Sequence, residues 1–408
     1  MTLRLSGMES GTALYRSDRY FKVRSVVLRL IIIQLIIVLS GTISSGQVRI
    51  SLFANQQPGS ALFTVTAGRY ELTPYPGNKM RLDTGEIIVL ALFDNAIAVR
   101  TRNSEGFRCD SLTLKGISGS RFVLRPAGNA TSRLYSGDLE CLPDLGKLVL
   151  INTCDIEEYV AGVVMAEGGS GRNIEYLKSQ ALLVRSYLYK YSGRHRLDRY
   201  NLCDNTHCQV FNGVVTDKLV LMAALSTKGL VVLDRDSVLI NSAFHSNCGG
   251  ETSVSEDVWI SGGNYLKKVI DPYCGAMTNA HWTKTLPLAQ WKAYLIKSGY
   301  TPEGDDPEVY NFSQPTRLSE YRAGAFSLPF TKIRNDLNLR SSFFSVVVHH
   351  DSVALNGRGY GHGVGLCQEG AMIMASKGFK YNQIINFYFS DVIITDVKNI
   401  KNGINTFQ

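Results

Sequence analysis

The chain has 408 residues, 45% hydrophobic and 19% charged, with 37 Gly and 11 Pro, a composition that excludes disorder, collagen and coiled coil and fits a folded globular protein. Lys and Arg number 43 against 35 Asp and Glu, a net charge of +8. Half of that excess sits in the first 46 residues, where Arg4, Arg16, Arg19, Lys22, Arg24 and Arg29 face only Glu9 and Asp18. The remainder is too mildly basic to argue for a nucleic-acid partner.

Those basic residues lead into the ten-residue apolar run from Leu30 to Leu39 and then into small residues from Ser40 to Gly46. A bilayer-spanning helix needs about 20 apolar residues, so residues 1–46 are predicted to be a signal peptide cleaved near Ser44 or Gly46, with an uncleaved anchor as the alternative. In either case the segment meets the membrane only during export or as an anchor. The expected compartment is periplasmic or extracellular.

Residues 47–152 alternate apolar and polar over short runs, at Val48–Phe53, Leu62–Thr66, Ile87–Leu90, Ile97–Arg100 and Arg121–Leu124, punctuated by Pro76-Gly77-Asn78 and Asp83-Thr84-Gly85. Period-2 runs at this spacing predict a β-rich, mostly antiparallel region. From 153 the period changes. Ile174, Leu177, Ala181, Val184 and Leu188 share one helical face, with Asn173 placed as N-cap. Lys178 and Arg185 are two turns apart and so project from one stripe beside that face. A further helix is expected over 217–227, strands over 230–232 and 238–240, a helix over 288–297, a polar connection to about 330, strands over 343–348 and 352–355, and closing helices over 366–377 and 381–389. Residues 153–408 are read as one α+β domain, a mixed α/β body behind the smaller β-rich region.

Four clusters carry residue types suited to chemistry. Glu167 lies in Ala166-Glu167-Gly168-Gly169-Ser170-Gly171, a carboxylate flanked by glycines at a helix junction and so a candidate general acid/base. His195 precedes Cys203-Asp204-Asn205-Thr206-His207-Cys208. Two thiols and two imidazoles are the ligands of a closed, structural zinc site; a Cys203–Cys208 disulfide and a Cys208 nucleophile paired with His207 fit the same residues. The polar run from Asn241 to Thr252, with His245 and Cys248, follows an apolar strand, and a Cys248–Cys274 disulfide is one account of it. Glycine at every second position from Gly357 to Gly365 surrounds His362 and leads to Cys367 and Gln368. That pattern lets backbone or ligand approach closely, as tight packing around a satisfied His362 or as the wall of a groove. Eight cysteines, Cys109, Cys141, Cys154, Cys203, Cys208, Cys248, Cys274 and Cys367, allow too many pairings for connectivity to be read.

The stretches Glu157–Glu167, Leu177–Ala181 through Arg185-Ser186-Tyr187, Cys203–Gln209, Phe244–Trp259, Leu339–Phe343 and Gly357–Ala371, in this order, resemble the SpoIID/LytB family. The resemblance implies a domain with a substrate groove and a peptidoglycan lytic transglycosylase activity on glycan strands, in the better-known members on strands stripped of stem peptides. It places Glu167 on the catalytic glutamate, and Lys178 and Arg185 on cleft positions; our expectation for the two cations there is that they bind the muramoyl lactate carboxylate or orient Glu167. Ser186, His245, His362 and Gln368 fall in the matching stretches and are expected on the substrate side. The resemblance also favours Zn2+ on His195, Cys203, His207 and Cys208. Because the family name covers modifiers of autolysins, a catalytically weak module that binds glycan or activates a cell-wall amidase is the rival reading, and a zinc hydrolase the third. Two departures stand out: Gly168-Gly169-Ser170 where many members have Met-Pro after the glutamate, and a thiol at Cys367.

Overall fold

The computed structural model describes residues 46–400 apart from 103–104, 129–130, 260–261, 303 and 305. The expected leader, up to Ser45, lies outside the described residues. Among the described residues no helix is long and apolar enough to cross a membrane.

Strands β1 (Gln47–Leu52), β2 (Ser60–Tyr75), β3 (Met80–Asp83), β4 (Ile87–Phe93), β5 (Ala96–Thr101), β6 (Phe107–Cys109), β7 (Ser111–Pro126), β8 (Arg133–Ser136), β9 (Asp138–Asp144), β10 (Lys147–Asp155) and β11 (Leu202–Cys203) form one eleven-stranded sheet. Its order is β11-β1-β10-β9-β7-β2-β4-β5-β6, with β3 on β2 and β8 on β7. The pairings are antiparallel except β1 with β11. Along β2 the inward residues are Ala61, Phe63 and Val65, then Tyr70 and Leu72. The parity changes because the register against β7 shifts twice between Val65 and Arg69, as a bulge in a period-2 strand requires. Phe63 stacks on Phe122 at 4.7 Å between centroids, and Tyr70 meets both rings edge-on.

Strand β10 runs directly into helix α1 (Ile156–Gly168). Asp155 makes the junction: its Oδ1 accepts from the N–H groups of Glu157 (2.7 Å) and Glu158 (3.2 Å), satisfying two donors that the first turn leaves unpaired. The division expected at 152–153 thus falls within β10, and the apolar residues on both sides of it belong to one cluster. Helix α1 is buried nearly all round, through Ile156, Tyr159, Val160, Val163 and Val164. Helix α2 (Ile174–Tyr191) packs on α1, on α3 (Lys218–Ser226) and on the closing helices α6 (Gln368–Ser376) and α7 (Tyr381–Tyr388). Asn173 caps α2 as expected, accepting from Glu175 N–H at 2.9 Å.

The rest of the chain carries helices α4 (Leu288–Lys297) and α5 (Phe330–Asp336) and strands β12 (Leu230–Leu233), β13 (Phe244–His245), β14 (His281–Pro287), β15 (Glu320–Ala323), β16 (Phe326–Pro329), β17 (Phe344–His349), β18 (Ser352–Arg358), β19 (Leu366–Cys367) and β20 (Ile393–Asp396). The run 238–240, expected as a strand, forms only a single bridge from Leu239 to Leu233. A turn precedes it in which the Asp234 carboxylate accepts from Asp236 and Val238 N–H and Ser237 takes φ +62°. The stretch after 297, expected as a polar connection, instead helps to build a second apolar core. There Trp291 and Leu295 of α4, the β15–β16 hairpin, Phe330 and Ile333 of α5 and the β14-β18-β17 sheet pack together.

Candidate functional site

Three of the stretches that carried the resemblance, or residues adjoining them, meet at the end of α1. Glu167 sits in its last turn, half-buried, and its Oε1 accepts from Val210 N–H at 3.0 Å. The Glu167 carbonyl accepts from Gln368 Nε2 at 2.9 Å. One hydrogen bond therefore comes from the segment just after Cys208 and the other from the first residue of α6. Burial pushes the Glu167 carboxyl above its ordinary value, against the opposing pull of the Val210 N–H. Its place at the negative end of a helix dipole acts in the same direction as burial. The arrangement favours the protonated form of the carboxyl, the form a general acid needs.

Gly168 and Gly169 finish the helix. Gly169 N–H closes on Met165 O and its φ is +79°, a conformation from which proline, fixed near −65°, is barred. The departure from Met-Pro is thus matched by a different backbone path. Behind it, Tyr176 Oη donates to Gly168 O at 3.4 Å. Gln180 is wholly buried with neither its amide nitrogen nor its oxygen hydrogen-bonded. The Gln180 Cγ lies 3.7 Å from where a Gly168 Cβ would be. This glutamine was not singled out from sequence, because burial that leaves an amide unpaired has no sequence signature.

The two cations are not brought to Glu167. Arg185 is 0% exposed and is tied to Glu157 by Nε (3.1 Å) and Nη2, with Nη1 on Leu230 O (3.0 Å) and Nη2 also on Ala224 O (3.1 Å). Its guanidinium fastens α1, α2, α3 and β12 together and offers a substrate carboxylate no access. Lys178 pairs with Glu175 at 3.0 Å and lies over the Tyr381 ring, so it joins α2 to α7. Ser186 is likewise buried, donating to Leu182 O at 2.7 Å and accepting from Val232 N–H at 2.9 Å. Seven-residue spacing put these side chains on related faces; which face is interior was decided by α1, α3, α7 and β12.

The glycine-rich segment lies against the run from Ala243 to Gly249. β13 and β19 pair in parallel, and Asn247 exchanges backbone hydrogen bonds with Tyr360. Gly359 and Gly365 have φ of +78° and +72°, and a Cβ at either would come within 2.5 Å and 2.3 Å of the carbonyls of Asn247 and Ala243, so close backbone approach requires both glycines. His362 is satisfied on both nitrogens: Nε2–H donates to Phe244 O and Nδ1 accepts from Val364 N–H, each at 3.0 Å. Burial lowers its pKa to about 4, which keeps the ring neutral. His245 Nδ1–H donates to Val364 O at 3.1 Å, and its buried Nε2 has no partner. Burial, and then the His362 ring, hold its pKa well below the ordinary value. Trp259 packs on His362 at 5.1 Å.

Three cavities among the described residues, of about 640, 810 and 470 Å3, are lined by the β1–β10 edge with 197–200, by residues around Tyr265, and by residues around Tyr300, and none of the three is the groove expected at Glu167. Glu167 lines none of these.

His195, Cys203, His207 and Cys208 place one ligand atom each within 4.8 Å of one another and can hold a metal ion. Cys203 Sγ is 3.6 Å from His207 Nδ1; Cys208 Sγ is 3.6 Å from His207 Nδ1 and 3.5 Å from His195 Nε2. Ligand lengths of about 2.3 Å for sulfur and 2.0–2.1 Å for nitrogen around a tetrahedral zinc give S···N edges of about 3.5 Å, so the donors fit. Asp198 Oδ2 accepts from His195 Nδ1 at 3.0 Å, orienting the ring as carboxylates do for metal-bound histidine. A second buried group, Cys248, Asp271, Cys274 and Cys367, can also hold an ion; the sequence reading had linked only two of its members. All eight cysteines are buried free thiols.

Residues 144–233, which hold Glu167, Arg185 and the first cysteine–histidine group, match the family model SpoIID, described as "Stage II sporulation protein". An uncharacterized protein of Brachyspira hyodysenteriae is 27% identical over 274 residues, 65% of this chain and 73% of the relative. The stage II sporulation protein D of Bacillus subtilis is 26% identical over 264 residues, covering 60% and 76%. The amidase enhancer of Bacillus subtilis is 26% identical over 293 residues, covering 57% of this chain and 40% of the relative.

Proposed function

The chain belongs to the SpoIID family of cell-wall-associated proteins, and from that premise we propose that it is a peptidoglycan lytic transglycosylase with Glu167 as its general acid and base. The observation that supports this is the Glu167 carboxyl itself, raised by burial at a helix end and held by the Val210 N–H, while the Gln368 side chain of α6 fixes the main-chain carbonyl of the same residue. Protonated Glu167 donates to the oxygen linking C1 of N-acetylmuramic acid to O4 of N-acetylglucosamine, and the C1–O4 bond breaks. The carboxylate then takes the proton of the muramoyl C6 hydroxyl as O6 bonds to C1, leaving a 1,6-anhydro end and regenerating the acid. Water takes no part, so no second carboxylate at the ~5–9.5 Å separation of hydrolytic glycosidases is required. The N-terminal basic and apolar segment supports action outside the cytoplasm.

Zn2+ on His195, Cys203, His207 and Cys208 belongs to the same proposal, as a structural ion. Four protein ligands leave no open position, and closing the loop is what the ion contributes. That loop leads through Gln209, which accepts from Tyr159 Oη at 3.1 Å, to the Val210 N–H that holds Glu167.

Mass spectrometry of the products released from amidase-treated glycan strands tests the reading. Products ending in 1,6-anhydro-N-acetylmuramic acid are expected; reducing ends would make the protein a hydrolase. The similarity to an amidase enhancer supports a second reading, a module that accelerates a cell-wall amidase. It predicts no cleavage of purified strands and faster amidase release of peptides when the chain is added.

The pH profile follows from the same carboxyl. The acting form is protonated, so kcat/KM is expected to be full at low pH and to fall as pH rises through the Glu167 pKa, with its midpoint above the ordinary 4.5. A midpoint at or below 4.5 would remove Glu167 as the acid.

A further inference from the structure

We propose that Cys248, Cys274, Cys367 and Asp271 form a second metal centre, a closed structural site for a thiophilic divalent cation, Zn2+ in the first instance. The three cysteines are 0% exposed and Asp271 2%. Three segments far apart in sequence supply them: the turn after β13, the loop from Asp271 to Cys274, and the N-cap of α6. One ligand atom from each residue lies within 4.8 Å of all the others. Cys248 Sγ is 3.4 Å from Cys274 Sγ and 3.2 Å from Asp271 Oδ2. Tetrahedral zinc with sulfur at about 2.3 Å and oxygen at about 2.1 Å needs edges of about 3.8 and 3.6 Å, so the cage admits the ion by opening a few tenths of an ångström.

The surroundings are those of bound thiolates. Cys367 Sγ accepts from the N–H groups of Cys248 (3.2 Å) and Gly370 (3.4 Å), and Cys274 Sγ from Gly250 N–H (3.2 Å). Asp271 is oriented from outside the cluster: Oδ1 accepts from Tyr273 N–H at 2.8 Å and Oδ2 from Tyr388 Oη at 3.0 Å. Neighbours of this kind fix the ligands of metal sites. The buried guanidinium of Arg317, donating to Cys248 O at 2.7 Å, supplies positive charge behind the cage. A Cys248–Cys274 disulfide would leave the Cys367 thiol odd and the Asp271 carboxylate with no cation; a divalent ion uses all four. It also explains Cys367, the thiol for which the sequence offered no reason. The ion would pin the residue before Gln368, whose amide holds the Glu167 carbonyl, and so act on Glu167 as a positioning element.

The test counts ions and does not depend on activity. The purified chain is equilibrated with Zn2+, dialysed, and analysed for zinc per chain, beside Cys203→Ala/Cys208→Ala, which disables the other cluster and leaves this one untouched. Two ions in the wild type and one in the double variant are expected, with an unreduced intact mass showing no loss of hydrogens. No ion in the folded double variant, or a mass lower by one disulfide mapped to Cys248–Cys274, overturns the proposal. Should the double variant not fold, the wild type decides: two ions support the second centre, and one overturns it.

Discussion

Glutamine at position 167 is expected to abolish strand cleavage while leaving the fold intact. General acid–base catalysis by a positioned carboxyl contributes about 10²–10⁴-fold, and in the proposed mechanism one group serves both proton transfers, so a loss of at least that size in kcat is expected for Glu167→Gln. The amide is isosteric and its oxygen still accepts from Val210 N–H, while the Gln368 contact is to the main chain and is unaffected. Stability should not fall. Because burial raises the Glu167 pKa, the folded state holds its proton more tightly than the unfolded chain. Its ionisation therefore weakens the fold as pH rises through the window between the two values. Glutamine removes that cost, so the variant should melt at or slightly above the wild-type temperature at neutral pH. Cleavage rates measured beside thermal melts check both halves. Residual cleavage near the wild-type rate would take Glu167 out of the chemistry and favour the amidase-activating module.

How much of this was legible depended on where the deciding contacts came from. The 3.6-residue period gave α2 with its Asn173 cap, and also α3 and α4, because each of those stripes is local. The pairing of the 243–249 run with the glycine-rich segment was half legible: alternate glycines announced a close approach without saying to what. Arg185 was placed on the right helix and the wrong side of the argument, because its partner Glu157 comes from another helix, 28 positions earlier. The second apolar core was hidden for a related reason. Tyr300, Tyr310, Tyr321 and Phe330 sit singly among polar, Gly- and Pro-punctuated residues, and become a core only when β17 and β18 arrive from later in the chain. The Cys248, Asp271, Cys274 and Cys367 group has no motif spacing, since its last member is 93 residues beyond the third and is delivered by the β13–β19 pairing.

The placement of Arg185 yields the second large effect, and it separates a buried tie from a substrate ligand. Arg185→Ala would leave Glu157, 6% exposed, as an uncompensated buried carboxylate, and would strip hydrogen bonds from the carbonyls of Leu230 and Ala224. Breaking a buried pair from one side costs about 3–5 kcal/mol. With an unfolding entropy of about 2.1 cal/mol/K per residue, that corresponds to a fall in Tm of roughly 4–7 °C for a folded body of this size. Arg185→Lys should recover only part of it, because a lysine cannot reproduce the planar fork that meets Glu157 and two carbonyls at once. Removing both charges, as Arg185→Met with Glu157→Gln, should recover most of it, since no buried charge is then left unpaired. Thermal melts of the three variants measure this. If Arg185 instead bound the lactate carboxylate of the glycan, Arg185→Ala would melt like the wild type and raise KM alone, and the double variant would be no better than the single one.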